Sequence, residues 1–374
     1  MNLTKHRNQI LSLFARLPYK RQIVQILNTI NQRRLPAIKT PENLIYFVTN
    51  RCNARCRHCF YWSQLNNQQQ ELSLPQLHTM ISSLKNRLDT LALTGGEPLL
   101  RADLYQIIEL FYTLNHTRKI HITTNGSLPD TLYVLCQSIL KAMNIELSVQ
   151  VSLDGDEAYH NALRGGDFFN KAIESLRILK PLATAHSNFI LGAATTVTAT
   201  NANQLHFVSA KMQTMGIPWG FQLLRASTYG ILGLDKSDIA HYDPKDNSMV
   251  PPSEATIRIL MQNYIPPGND LRLMLQRAML NNSIALLSNQ RPALKCRAGI
   301  VDGVVYPNGD VALCEITNPF DNLQHYEYDF YRLWLSAKAQ EARKIIQNCA
   351  CMHGCHMVNA MKYDYRFVLD ALQR

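Results

Sequence analysis

The sequence predicts an α/β fold in which a partial (β/α)6 TIM-like barrel precedes a small Cys-rich α+β domain at the C-terminus. Short β-rich runs alternate with amphipathic stretches from Asn43 to about residue 227, and this is the pattern of βα units in a parallel sheet. Glycine-rich and polar motifs follow the strands one after another, at the end where parallel barrels carry their chemistry. Five of the nine cysteines lie beyond residue 290, which indicates a separate Cys-rich segment.

Six strands and at least five helices are predicted in the barrel. The strands span residues 44–49, 89–94, 119–124, 145–153, 189–198 and 220–226, and the helices span 74–88, 101–114, 130–142, 168–180 and 203–214. Right-handed crossovers curl such a sheet toward a barrel. The 374 residues accommodate one barrel-sized domain and a smaller one.

Four segments are predicted along the chain. They are a basic amphipathic helical arm at 1–42, the barrel core at 43–227, a connector over the barrel at 228–290, and an auxiliary domain with its tail at 291–374. The connector is rich in Asp, Pro and Asn and contains a helical pattern broken at residues 265–269. Residues 305–314 predict a hairpin with its turn at residues 307–310.

The positive charge is concentrated in the arm. Residues 1–41 contain eight Lys and Arg residues and no acid, so they account for +8 of the formal net charge of +10. Apolar residues recur at helical spacing on both sides of Pro18, which predicts two short helices. We expect their apolar faces to dock on the rest of the chain. An anionic membrane surface is the main alternative, and no nucleic-acid partner is expected.

The composition also bears on the cellular location of the protein. No run approaches the ~18–20 apolar residues of a membrane span, so a soluble or peripheral protein is expected. Nine cysteines without an N-terminal apolar signal segment indicate a reducing environment, and the cytoplasm is the expected location.

Three cysteines directly after the first predicted strand form the most informative motif. Cys52, Cys56 and Cys59 are spaced as Cys-x3-Cys-x2-Cys. A cubane iron–sulfur cluster has four irons, so three thiolates leave one iron open for a small molecule. Structural zinc is the alternative, but zinc needs a fourth ligand, and the nearby His58 lies between two of the cysteines.

Glycine and polar residues end the next strands. Gly95 and Gly96 allow close backbone approach to a ligand, and Glu97 or a nearby carbonyl can accept from an ammonium group. Residues 123–126, Thr-Thr-Asn-Gly, predict either a turn or polar groups lining a site. After the fourth strand, Asp154 is predicted to form a turn.

The Cys-x3-Cys-x2-Cys motif, followed about 40 residues later by Gly-Gly-Glu-Pro, resembles the radical S-adenosylmethionine (radical SAM) superfamily. The resemblance implies a [4Fe–4S] cluster on Cys52, Cys56 and Cys59, whose open iron binds the amino and carboxylate groups of SAM. Reduction of SAM then yields a 5′-deoxyadenosyl radical. An external electron donor such as flavodoxin or ferredoxin is implied as a partner.

Eight residues are expected to contact SAM on this resemblance. They are His58, Gly95, Gly96, Glu97, Asn125, Ser152, Arg164 and Leu223. The Gly-Gly-Glu stretch would meet the amino group of SAM, Ser152 its ribose and Arg164 its carboxylate. His58 departs from the family, which usually has a carbocyclic aromatic residue near adenine at this position, but an imidazole can still stack.

The C-terminal cysteines resemble the auxiliary-cluster domains called SPASM and, in shorter form, Twitch. They are Cys296, Cys314, Cys349, Cys351 and Cys355. SPASM needs more cysteines than these, so a Twitch-like second [4Fe–4S] cluster is expected on Cys296, Cys314 and two of the last three. A four-cysteine structural zinc site is the alternative.

Glu315 directly follows Cys314 and is a candidate catalytic base. In peptide-oxidising relatives an acid at the matching position takes the proton when a substrate radical is oxidised; a solvated hairpin acid is the alternative. The expected function is hydrogen abstraction leading to net oxidation of a small molecule, because an arm of about forty residues is short for a leader-binding domain. Peptide modification and a non-catalytic metal-cluster scaffold are the alternatives.

Overall fold

A computed structural model of the chain describes residues 20–225, 231–240, 244–267, 270–290, 294–352 and 354–368. The strands are β1 (Asn43–Thr49), β2 (Thr90–Gly95), β3 (Lys119–Thr124), β4 (Glu146–Ser152), β5 (Phe189–Val197), β6 (Trp219–Leu223), β7 (Ile231–Leu232), β8 (Asp302–Val305), β9 (Asp310–Ala312), β10 (Asp321–Asn322) and β11 (Ala350–Cys351). The helices are α1 (Lys20–Arg34), α2 (Leu74–Ser83), α3 (Leu104–Leu114), α4 (Pro129–Ala142), α5 (Glu157–Arg164), α6 (Phe169–Ala185), α7 (Leu205–Met215), α8 (Glu254–Tyr264), α9 (Leu271–Leu287), α10 (Phe330–Trp334), α11 (Ala337–Ile346) and α12 (Gly354–Met361).

The centre of the fold is a mostly parallel sheet in the order β10-β9-β8-β1-β2-β3-β4-β5-β6. Strands β1 to β6 pair in chain order and in parallel, which confirms the predicted α/β partial barrel. β3 spans the predicted residues, and the other strand ends differ by a few positions. Along β4, Leu147, Val149 and Val151 are buried and alternate with more exposed residues, because successive side chains face opposite sides of a strand.

The sheet continues into the C-terminal part of the chain. β8 pairs in parallel with β1, so that Asn43 lies opposite Asp302, and the β8–β9 hairpin turns within the predicted turn region. β7 and β11 form a separate antiparallel pair with Ile231 opposite Cys351. The predicted segment boundaries at residues 42, 227 and 290 stay predictions. Through the β1–β8 pairing, the sheet of the barrel continues into the predicted auxiliary domain at 291–374.

Helix α1 is the second of the two helices predicted in the arm; the first, before Pro18, lies outside the described residues. The Nδ2 of Asn31 donates to the carbonyl of Lys362 (3.1 Å), and the backbone N–H of Tyr365 donates to Asn28 Oδ1 (2.8 Å). Ile26 and Ile30 remain exposed on this helix. No helix in the described parts of the chain combines the length and the apolarity needed to cross a bilayer.

Candidate active site

The loop after β1 carries Cys52, Cys56 and Cys59, all half-buried. The backbone N–H groups of Arg55 and Arg57 donate to the carbonyls of Arg164 and Leu163 at the end of α5. These bonds tie the cysteine loop to the segment that follows β4. The loop is therefore held at the carboxyl ends of the parallel strands, as the barrel prediction requires.

The three thiols suit a metal cluster. Burial raises the pKa of Cys52 to about 11 and that of Cys59 to about 12, so these sulfurs become thiolates when a positive centre compensates for the lost hydration. Among the described residues, no three Cys, His, Asp or Glu side chains converge on one point as the ligands of a single ion do. A cubane distributes its ligands over separate irons and does not need that convergence.

The glycines that end β2 bring backbone against the cysteine loop. A Cβ atom on Gly96 would lie 2.0 Å from the carbonyl oxygen of Arg51, and Gly95 has a φ of 128°. The backbone N–H of Glu97 donates to the same carbonyl (2.8 Å). A side chain at either glycine would therefore displace the loop next to Cys52.

The carboxylate of Glu97 accepts hydrogen bonds from other groups of the protein. The group is buried and accepts hydrogen bonds from Thr124 Oγ1 (2.7 Å) and from the backbone N–H groups of Asn125 (2.8 Å) and Leu99 (3.2 Å). It thereby connects the end of β2 to the end of β3.

Asn125 connects β3 to the cysteine loop. Its Nδ2 donates to Asn53 Oδ1 (2.9 Å), and its Oδ1 accepts from the backbone N–H of Ser127 (2.9 Å). Asn53 lies between Cys52 and Cys56, so the polar residue at the end of β3 helps to shape the loop. Sequence reasoning did not identify Asn53 as a residue of the site. Its position inside the cysteine motif was the signal that could have indicated it.

Arg164 is held by a buried carboxylate. Asp154 Oδ2 accepts from Nε (2.8 Å) and NH2 (2.7 Å) of Arg164, and Asp154 Oδ1 accepts from the backbone N–H of Thr196 (3.1 Å). Burial by itself would raise the pKa of Asp154, but Arg164, His58 and His160 lower it to about 2.

The prediction that Asp154 forms a turn is therefore wrong. A buried guanidinium needs an ionised partner, and Asp154 fills this role. The signal was present in the sequence, because an acid lies between Ser152 and the arginine of the same motif.

The remaining guanidinium nitrogen, NH1, faces the cysteine loop, 3.9 Å from Cys56 Sγ. Arg164 reaches this position because α5 ends there, and Gly165 takes a left-handed conformation with a φ of 73°.

His58 is a neutral ring beside the cysteines. Burial lowers its pKa to about 4, so the imidazole carries no charge near neutral pH. Its Nδ1 has no hydrogen-bond partner among the described residues. A neutral ring in this position can stack on a planar group, as the sequence predicted for an imidazole here.

A cavity of about 180 Å³, the inner cavity, joins these residues. Its lining includes the three motif cysteines and seven predicted SAM contacts, namely His58, Gly95, Gly96, Glu97, Asn125, Ser152 and Arg164. The structure does not bring Leu223 to this cavity. Leu223 packs with Val197 and Ile257, whereas its neighbours Gln222 and Leu224 line the cavity, because alternate side chains of a strand face opposite sides.

Three C-terminal cysteines from distant segments lie near enough for their charges to interact. Cys296 precedes β8, Cys314 follows β9 and Cys351 lies in β11. Burial raises the pKa of Cys296 to about 12 and also raises that of Cys314, and the charge of Cys351 raises both further. Cys349 packs half-buried against the main core. The side chain of Cys355, at the start of α12, lies outside the described residues.

A second cavity of about 260 Å³, the outer chamber, adjoins the first, and Phe60 lines both. Glu315 lines the outer chamber, and its Oε2 lies 3.3 Å from NH1 of Arg225. Arg225 lines the inner cavity, with its guanidinium carbon 5.1 Å from the centre of the Phe60 ring. Glu315 is 5% exposed, so it is a buried ion-pair partner and not a solvated acid.

Residues 46–193 match the family model described as the radical SAM superfamily. The chain is 30% identical over 133 residues to a GTP 3′,8-cyclase of Alkaliphilus oremlandii, covering 34% of this chain and 40% of the relative. It is 29% identical over 165 residues to a pre-heme d1 synthase of Dinoroseobacter shibae, covering 43% and 38%. The chain thus spans about two fifths of the length of these curated relatives.

Solved structures resemble the fold over most of the chain. The structure of anSMEcpe with bound AdoMet has a TM-score of 0.56 at 17% identity and covers 89% of this chain and 96% of its own. Streptococcus suis SuiB bound to S-adenosylmethionine has a TM-score of 0.59 at 16% identity, covering 84% and 70%. At such identities the likeness is one of fold.

The matched residues begin in β1 and end in β5, and they include the three motif cysteines, the Gly-Gly-Glu stretch, Ser152 and Arg164. A [4Fe–4S] cluster and SAM are the cofactors that this family implies. Residues 46–193 therefore form a radical SAM domain.

Proposed function

We propose that this protein cleaves SAM reductively and uses the 5′-deoxyadenosyl radical to abstract hydrogen from a bound substrate, leading to net oxidation of a small molecule. The observation that carries the proposal is the inner cavity, which is lined by Cys52, Cys56 and Cys59 together with Gly95, Gly96, Glu97, Ser152 and Arg164. A non-catalytic scaffold has no use for such a cavity.

The chain contributes binding and orientation. Cys52, Cys56 and Cys59 would hold the [4Fe–4S] cluster, and SAM would occupy the rest of the inner cavity. Asp154 binds two nitrogens of Arg164 and leaves NH1 facing Cys56, so the guanidinium offsets negative charge on the sulfur. Bound clusters would supply the electron that splits SAM into methionine and the 5′-deoxyadenosyl radical, and would accept the electron that an oxidised substrate radical loses.

Loss of that electron from a substrate radical also releases a proton, and Glu315 is the proposed acceptor. The carboxylate lines the outer chamber one residue after Cys314. Arg225 stabilises its ionised form, which keeps it ready to accept a proton. A second [4Fe–4S] cluster is proposed on Cys296, Cys314, Cys351 and either Cys349 or Cys355; structural zinc at this position is the alternative.

Peptide modification is the second candidate function. Solved neighbours include anSMEcpe with a bound peptide and SuiB bound to the precursor peptide SuiA. Four of the described residues that line the outer chamber have carboxamide side chains, which suit the hydrogen-bonding groups of a peptide.

The first test uses full-length protein purified and reconstituted without oxygen. Iron, zinc and acid-labile sulfide are counted per chain, and 5′-deoxyadenosine is measured after addition of SAM and dithionite, with flavodoxin or ferredoxin as alternative donors. About eight irons with 5′-deoxyadenosine formation supports the proposal in full. About four irons with zinc limits it to the first cluster, and no 5′-deoxyadenosine from iron-loaded protein contradicts it.

A further inference from the structure

We propose that the outer chamber binds a protonated amine or a guanidinium group of the substrate, with Asp310 as its counter-charge. The inference rests on the proposed function only in taking this chamber as part of the substrate site. It narrows the substrate to a class of molecule that carries a cationic group.

The first argument is the charge of the chamber. Asp310 Oδ2 accepts from Asn308 Nδ2 (2.7 Å) and Oδ1 accepts from Asn322 Nδ2 (2.8 Å). These amides orient the carboxylate without neutralising it. Within the described parts of the chain Asp310 forms no ion pair, and no Lys, Arg or His is among the residues lining the chamber. Since Arg225 balances Glu315, the described lining has an excess of negative charge.

The second argument is the aromatic wall. Phe60, Tyr61 and Tyr306 line the same chamber as Asp310, and the rings of Tyr61 and Tyr306 are near-parallel, with centroids 6.0 Å apart. Aromatic faces attract ammonium and guanidinium groups, and a carboxylate beside them adds a direct charge partner.

The same distribution of charge disfavours phosphate groups. The described cations lining the inner cavity are Arg164 and Arg225, and each is paired with a carboxylate, Asp154 or Glu315. A polyphosphate entering either cavity would lose its hydration and meet no cation that is not already paired among these described residues. A nucleoside triphosphate should therefore bind more weakly than an amine.

The test is calorimetric titration of the full-length protein with matched probes. Nα-acetyl-lysine amide should bind at least about tenfold more tightly than the uncharged Nα-acetyl-norleucine amide, and more tightly than GTP. Asp310→Asn should reduce the preference to less than about threefold. The matched control is Glu174→Gln, an exposed acid in α6, which should leave the preference unchanged.

Equal binding of the two amides, tighter binding of GTP, or an unchanged preference in a folded Asp310→Asn protein overturns the inference. Because the hydrogen bonds of Asp310 also support the β8–β9 turn, Gln69→Lys provides an independent variant. Gln69 lines the chamber, and a lysine there should weaken binding of the lysine probe about tenfold by charge repulsion; no weakening would also overturn the inference.

The two hypotheses fail separately. Formation of 5′-deoxyadenosine without a preference for the cationic probe contradicts the inference and leaves the proposed function intact. A clear preference in iron-loaded protein that never cleaves SAM contradicts the proposed function and leaves the cationic subsite intact.

Discussion

The two cysteine groups of this protein are built in opposite ways. Cys52, Cys56 and Cys59 belong to one loop after β1, which is tied to the end of α5 by backbone hydrogen bonds. Cys296, Cys314 and Cys351 come from three distant segments, before β8, after β9 and in β11, and their charges influence one another. A local loop depends on the residues that surround it, whereas an assembled group depends on long-range pairing. The two groups should therefore respond separately to substitution.

The largest effect is expected in the local group. Cys56→Ala should abolish 5′-deoxyadenosine formation and remove about half of the iron, because one cluster loses a ligand. The matched control is Cys136→Ala, which removes a buried thiol from α4 outside both groups and should keep iron and SAM cleavage. Cleavage of SAM by Cys56→Ala protein at the wild-type rate would contradict the proposal that this loop holds the first cluster.

A smaller effect is expected in the assembled group. Cys314→Ala should lose about half of the iron and stop product formation while SAM cleavage continues, because the first cluster has its own ligands. Cys351→Ala should behave in the same way. Full retention of iron with loss of zinc in either variant would show that this group is structural and would remove its redox role.

The surroundings of the local group can be tested through stability. Asp154→Asn leaves the buried guanidinium of Arg164 without its counter-charge, and we expect the free energy of unfolding to fall by about 3–5 kcal/mol. The control Asp246→Asn breaks a surface pair with Arg57 and should have a much smaller effect. Urea denaturation of the three proteins provides the comparison, and similar losses in both variants would contradict the role of Asp154.

The smallest expected effect is the pH dependence of the same pair. The pKa of Asp154 is about 2 in the folded protein, below its ordinary value of 3.8, so the ion pair stabilises the fold above pH of about 4. This contribution, about 2 kcal/mol at most, is lost as the pH falls through 2. The stability difference between wild type and Asp154→Asn should therefore shrink below pH of about 4; a constant difference would assign the effect of the substitution to packing.

Sequence reasoning succeeded where neighbours in the chain are neighbours in space. The alternation of strands and helices predicted β1 to β6, and the resemblance to the radical SAM family, carried by the cysteine motif and its glycines, implied most of the predicted residues that line the inner cavity. It failed at Asp154, which pairs with a residue ten positions away across a loop and a helix. It also missed the face of Leu223, because a one-residue difference in the pleat reverses the direction of a side chain.

The sequence by itself indicated the parallel barrel through its hydrophobic periodicity. The spacing of the cysteine motif predicted the local cysteine loop, and the resemblance of this motif and the Gly-Gly-Glu stretch to a known family pointed to a radical SAM domain. Only the tertiary structure showed that Cys296, Cys314 and Cys351 influence one another, that Glu315 is buried against Arg225, and that Asp310 lines the same chamber as Tyr61 and Tyr306. These contacts join residues from separate strands and loops. Their distances depend on how the whole sheet is assembled, and no local pattern in the chain carries that information.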